Sequence, residues 1–235
     1  MIKTLFILIL LLVSTALLAD EITIKGEAFD KDKKLIFIET QQVRRSPLGE
    51  WNEVLIKYTQ TDGKLIAELK ADFSKDLYVP ETVLIDHRFN EKTEVHFDIH
   101  KQNIMIKTTN TKTGSINAKS FKYESTMVSA LGLHNFIIKH YDTKEASVKL
   151  LIPEKTEAFT FNFEKEKGII EGHSRFAFTV SSWVLRAILR EIMMDYKDSD
   201  HTLVQYSGLT DIESDEHNSQ NLTIKMSYHG ATNDK

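Results

Sequence analysis

The residues best suited to chemistry stand in one short stretch, Glu94-x-His96-x-Asp98-x-His100. On a β-strand, side chains two apart project from the same face, about 7 Å from one another. Imidazole and carboxylate are proper zinc ligands. The two histidines would lie about 13 Å apart on an ideal strand, too far for one ion to take both. His96 with Asp98, or Asp98 with His100, is the chelating pair that the spacing allows, with further ligands from elsewhere. The simpler reading is the solvated face of an amphipathic strand, so no metal and no other cofactor is expected. In Asp86-His87-Arg88, alternation sends His87 inward with Val83 and Ile85 and turns Asp86 and Arg88 outward as a surface ion pair. Asp211, Glu213, Asp215 and Glu216 lack the Asp-x-Asp-x-Asp-Gly order of a calcium loop and read as a solvated loop. The chain has no G-x-S-x-G elbow and no glycine-rich phosphate loop. It also has no cysteine, which excludes thiol catalysis and thiolate metal sites. A non-enzymatic protein is expected.

The elements that must position these residues are mostly strands. Short apolar runs of period two recur along the chain, the mark of half-buried strands. Val54, Ile56 and Tyr58 share one face. Leu65, Ala67, Leu69, Ala71 and Phe73 share the next, with Thr61-Asp62-Gly63-Lys64 between them as a hairpin with a type I′ turn. The pattern continues through Val95, Phe97 and Ile99, through Val148, Leu150 and Ile152, and through Phe159, Phe161 and Phe163. It closes with Leu222, Ile224, Met226 and Tyr228. Two stretches change period. Ser125 or Thr126 caps a helix carrying Met127, Val128, Leu131 and Phe136, and Ser181 or Ser182 caps a second carrying Trp183, Val184, Ala187 and Ile188. The expected fold is therefore mainly β with minor α. It is a curved antiparallel sheet or open β-barrel of about a dozen strands, covered by two short helices.

The ends bound the compartment. Lys3, the apolar run from Leu5 to Leu18 and the small Ala19 follow the order of a secretory signal peptide. A spanning helix needs about 20 apolar residues, more than this run supplies. The expectation is a cleaved signal over residues 1–19, a single β-rich domain over 20–230, a flexible tail over 231–235 and a periplasmic location. No integral membrane segment is expected after cleavage. The 30 basic and 34 acidic side chains give a net charge of −4, and the loss of Lys3 makes it one unit more negative. Such a balance favours solubility and argues against non-specific nucleic-acid binding.

Thirteen phenylalanines and two tryptophans give the strand faces an aromatic lining. Ile170, Gly172, Ser174, Phe176, Phe178 and Val180 place two small residues among bulky ones on one face. Small residues on an apolar face leave room for a helix or a ligand. Phe159, Phe161, Phe163, Gly172, Ser174, Phe176, Phe178 and Trp183 are accordingly the candidate lining of a cavity.

Three segments carry a resemblance: Gly132-Leu133-His134-Asn135-Phe136-Ile137, Trp183-Val184-Leu185-Arg186 and Tyr206-Ser207-Gly208-Leu209-Thr210-Asp211-Ile212. With a closing strand ending at Tyr228, they resemble a group of exported bacterial proteins of unknown function. That group is similar in layout to periplasmic β domains of the broad lipoprotein-carrier class. The resemblance implies an open, half-closed β-barrel with helices over a hydrophobic cavity. The latch arginine of such carriers has no counterpart at any position of this chain. The leading expectation is a periplasmic binding or carrier protein for an apolar or amphiphilic, lipid-like ligand. The alternatives are an envelope protein-interaction module and a metal-dependent hydrolase.

Overall fold

A computed structural model describes residues 20–153, 157–187 and 190–229. The signal peptide expected over 1–19 and the tail over 231–235 lie outside the described residues. Eight strands follow one another as a meander: β1 (Asp20–Phe29), β2 (Leu35–Arg45), β3 (Trp51–Thr59), β4 (Leu65–Asp72), β5 (Glu81–Asp86), β6 (Glu91–Asp98), β7 (Asn103–Asn110) and β8 (Ile116–Lys122). The short β9 (Met127–Ser129) and the helix α1 (Gly132–Lys139) come next. A second meander then runs through β10 (Glu145–Ile152), β11 (Glu157–Lys167), β12 (His173–Val180), β13 (Ile192–Lys197), β14 (Thr202–Leu209) and β15 (Asn221–His229).

The two meanders join where the ends of the chain meet. β1 pairs antiparallel with β15, placing Ile24 opposite Tyr228 and Ala28 opposite Ile224. The result is one sheet of 15 strands that does not close, with β8 and β9 at its edges. All neighbours are antiparallel except β9 and β10, which run parallel. Near the edges the sheet curls onto itself. Phe97, Ile104 and Ile106 from one end share an apolar cluster with Met127 and Leu151 from the other. The fold is mainly β, as the alternation predicts, with more strands than expected. Among the described residues no helix is long and apolar enough to cross a membrane.

The helix α1, the only α-helix among the described residues, is a plug and not a lid. Five consecutive side chains of α1, Leu133 to Ile137, are buried, so the helix is packed on all sides. Asn135 docks it. Its Oδ1 accepts the Trp51 N–H at 2.6 Å, and its Nδ2 donates to the Trp51 carbonyl at 2.9 Å and the Leu77 carbonyl at 3.2 Å. This side chain thus supplies β3 with the pairing that a further strand residue would give. Phe136 packs edge-on against Phe163 with ring centres 5.3 Å apart, and Phe163 lies 5.2 Å from Phe178. Aromatic pairs favour such tilted contacts.

Several expectations are corrected by this arrangement. The first helix begins at Gly132, not after Ser125. Met127 to Ser129 form a strand instead, held by the β10 ladder and by a Ser129 N–H bond to the Tyr78 carbonyl. The second helix does not form as expected: the segment holds a 3-10 turn at Leu185–Ala187, and Ile188 lies outside the described residues. Ser181 donates from its N–H to Thr160 and from its hydroxyl to Asn162, so it prolongs the sheet instead of capping a helix. Trp183 is 81% exposed. The β3–β4 hairpin is present, but only Gly63 takes a positive φ, +88°, so its turn is not type I′. The Gly63 N–H donates to the Gln60 carbonyl at 2.9 Å and the Gln60 N–H to the Lys64 carbonyl at 2.8 Å, the geometry of a type I turn with a glycine bulge.

Candidate functional site

On β2, period two puts Phe37, Glu39, Gln41 and Val43 inside, with Thr40 and Gln42 exposed. Two polar side chains therefore occupy core positions. Glu39 is 4% exposed, and so is Gln41. The space for Glu39 comes from β1. Gly26 sits directly opposite it, and a Cβ at that position would lie 2.6 Å from Glu39 Cγ and 2.8 Å from Ile224 Cγ2. Replacing Gly26 with alanine is accordingly expected to displace the carboxylate and destabilise the protein by about 2 kcal/mol, as overpacking does. A urea midpoint unchanged from wild type would show that the glycine makes no such room.

Asp211 approaches from the loop after β14. The residue is only partly buried overall, but its carboxyl is fully surrounded by protein. The Tyr58 hydroxyl donates to its Oδ2 at 3.4 Å. The loop is shaped by its own bonds: the Tyr206 hydroxyl donates to the Leu209 carbonyl, and the Thr210 hydroxyl to the Ile212 carbonyl at 2.9 Å. Ile212 then anchors it in the core at 2% exposure.

Glu39, Gln41 and Asp211 line one cavity of about 70 Å³ on the inner face of the sheet. Its walls include Phe37, Ile56, Leu131, Met194, Leu203 and Ile224. That volume has room for about five waters. Two further hollows, of about 20 and 80 Å³, also touch Asp211.

The electrostatics are those of acids in an apolar place. Burial pushes the Glu39 carboxyl up to about 7, the Gln41 hydrogen bond opposes the rise, and the Asp211 charge adds to it. Burial likewise raises Asp211 to about 6, against the Tyr58 hydrogen bond. Among the described residues no cation figures among the groups acting on either carboxylate. His134 of α1 also borders the cavity. Burial holds its imidazole down to about 4, so it is neutral at pH 7. Its Nε2 lies 3.1 Å from the Gly49 carbonyl, which only accepts, so Nε2 carries the proton. Nδ1 then accepts from the Tyr196 hydroxyl at 3.0 Å. Both ring nitrogens are thereby occupied, and the ring stacks on Trp51 at 4.3 Å.

The residues singled out from sequence lie elsewhere. Phe161, Phe163, Phe176 and Phe178 are each at most 1% exposed and pack with α1 and with one another. Phe159 is partly buried beside them. Ser174 is buried and donates to Asp198 at 2.7 Å. Gly172 is not on a strand face: β12 begins at His173, and Gly172 occupies an exposed turn with φ +75°. None of these seven residues, nor Trp183, lines the Glu39 cavity.

His96 is exposed on the outer face of β6, 3.6 Å from Glu81 and 3.9 Å from Glu94. Asp98 accepts the N–H groups of His100 and Lys101 in the following turn. Among the described residues no group of three or more His, Cys, Asp or Glu side chains is placed to hold a metal ion. The Asp86 cluster has the opposite phase from that expected. Asp86 is buried and His87 exposed, and Arg88 binds both Asp86 oxygens while also reaching Asp215 at 3.0 Å. Val83, Leu84 and Ile85 are all apolar, so the run offers two phases and the buried ion pair selects one.

Compared with known proteins, the chain matches no family model and no curated sequence.

Proposed function

We propose that the protein is an exported, non-enzymatic binding protein, and that the Glu39 cavity receives one end of an amphiphilic ligand. The observation that carries this reading is the cavity's composition. Apolar walls surround two carboxylates and an amide, and among the described residues no cationic side chain acts on the acids. A few convergent polar groups in an otherwise apolar concavity is the usual make-up of a small-molecule site. Its size limits the ligand. Pockets that enclose whole drug-sized molecules measure about 300–1,000 Å³, well above the 70 Å³ of this one. A full acyl chain does not fit inside it, and the Phe163–Phe178 region that seemed the natural container is filled by α1.

The test is methyl NMR of the purified protein with 1-hexanol, a neutral amphiphile. Shift changes centred on Ile56, Met194, Leu203 and Ile224 are the expected result. Changes confined to surface methyls, or none at millimolar hexanol, would remove the reading.

A further inference from the structure

We infer that the polar end of the ligand is a primary ammonium group. The inference rests on the Glu39 cavity being the binding site, and it starts from a count of hydrogen-bonding groups there. The acceptors are the Glu39 carboxylate, the Asp211 carboxylate and the Gln41 carbonyl. The donors aimed at them are the Gln41 amide, bonded to Glu39 at 2.6 Å, and the Tyr58 hydroxyl, bonded to Asp211. Gln41 Oε1 is buried and has no hydrogen-bond partner among the described residues. A buried acceptor without a donor is rare and unfavourable in folded proteins. The site is thus short of donors and of positive charge at the same place.

A primary ammonium corrects both deficits. It carries one charge and three N–H donors in a compact head. Its donors can serve the two carboxylates and, once the side chains packed over it turn aside, Gln41 Oε1. A carboxylate or phosphate head would add a third anion to two enclosed acids. A hydroxyl head brings one donor and no charge. A trimethylammonium head keeps the charge but has no N–H to offer Gln41. Behind the head, Phe37, Ile56, Met194, Leu203 and Ile224 supply an apolar wall for the first carbons of an alkyl stem.

Four probes sharing one chain test this at pH 7.5 by isothermal titration: hexylamine, 1-hexanol, hexanoate and hexyltrimethylammonium. Hexylamine is expected to bind about tenfold or more tightly than hexanol and than the trimethylated amine, with hexanoate the weakest. Glu39→Gln should weaken hexylamine about tenfold, and by more than it weakens hexanol. Asp211→Asn gives the same comparison should Glu39→Gln not fold, and the wild-type ranking stands without either variant. Binding of hexanol or hexanoate at least as tight as hexylamine would overturn the ammonium and leave the cavity reading intact. Equal binding of the trimethylated amine would overturn the role given to Gln41, and with it the inference. Absence of binding by all four would overturn the cavity reading as well.

Discussion

Gly132→Ala is expected to destabilise the protein by about 4 kcal/mol, at the upper end of what overpacking does. The first residue of α1 lies against the backbone of Tyr78. A Cβ at that position would stand 1.8 Å from the Tyr78 carbonyl oxygen and 2.6 Å from its carbonyl carbon. The obstacle is main chain, so no rotamer change relieves it. The helix must retreat, and its retreat breaks what it holds. Asn135 would leave Trp51, whose N–H and carbonyl are both bonded to it. Each buried backbone group left unpaired costs about 1–3 kcal/mol. The Ser129 hydroxyl, which accepts the Gly132 N–H at 3.2 Å, would lose its bond too. Urea unfolding measures the effect. A variant within about 0.5 kcal/mol of wild type, the range of ordinary surface changes, would mean that α1 is not wedged against β3 and the Tyr78 segment.

The second large effect is a stabilisation. Glu39→Gln is expected to raise stability by about 3 kcal/mol at pH 8 and to change it little at pH 4. The folded value of Glu39 is raised from 4.5 to about 7. Between those values the native state holds a proton that the unfolded chain releases. The favourable contribution is therefore complete below pH 4.5 and is lost as pH rises through 7. Asp211, raised from 3.8 to about 6, acts in the same direction. His134 acts in the opposite one. Its value falls from 6.5 to about 4, so its contribution is lost as pH falls through that window. The wild-type profile is a mixture, and the difference between wild type and Glu39→Gln isolates the carboxyl. Equal stability of the two proteins at pH 8 would contradict the burial of an uncompensated acid.

Much of the fold was legible from alternation. Val54, Ile56 and Tyr58, or Val95 and Phe97, announce strands because apolar residues recur at every second position. The errors share a cause, which is that local pattern does not reveal a distant partner. Trp183 and Val184 open the segment whose spacing suggests a second helix, but both are exposed. The pairing of β1 with β15 joins residues some 200 positions apart in sequence. No turn residue signals such a contact.

The site was missed for a more specific reason. A search for apolar alternation passes over β2, because Glu39 and Gln41 occupy the inner positions where apolar side chains are sought. A signal was present nonetheless: Phe37-x-Glu39-x-Gln41-x-Val43 keeps its phase across two polar residues. Asp211 was harder. It opens the same acidic run as Glu213, Asp215 and Glu216, and only its contact with Tyr58 of β3 sets it apart. The segment Tyr206 to Ile212, which carries part of the resemblance, spans the end of β14 and the start of the loop that carries this carboxylate inward. The segment Gly132 to Ile137 proves to be the plug.

Glu39 and Asp211 form an enclosed acidic pair with no cationic side chain acting on it among the described residues. Carbon NMR of the carboxyl resonances across pH 3 to 9 tests it most directly. The pair is expected to titrate in two steps, near 6 and near 7, and the upper step should disappear in Glu39→Gln. Titration of both carboxyls below pH 5 would contradict the account.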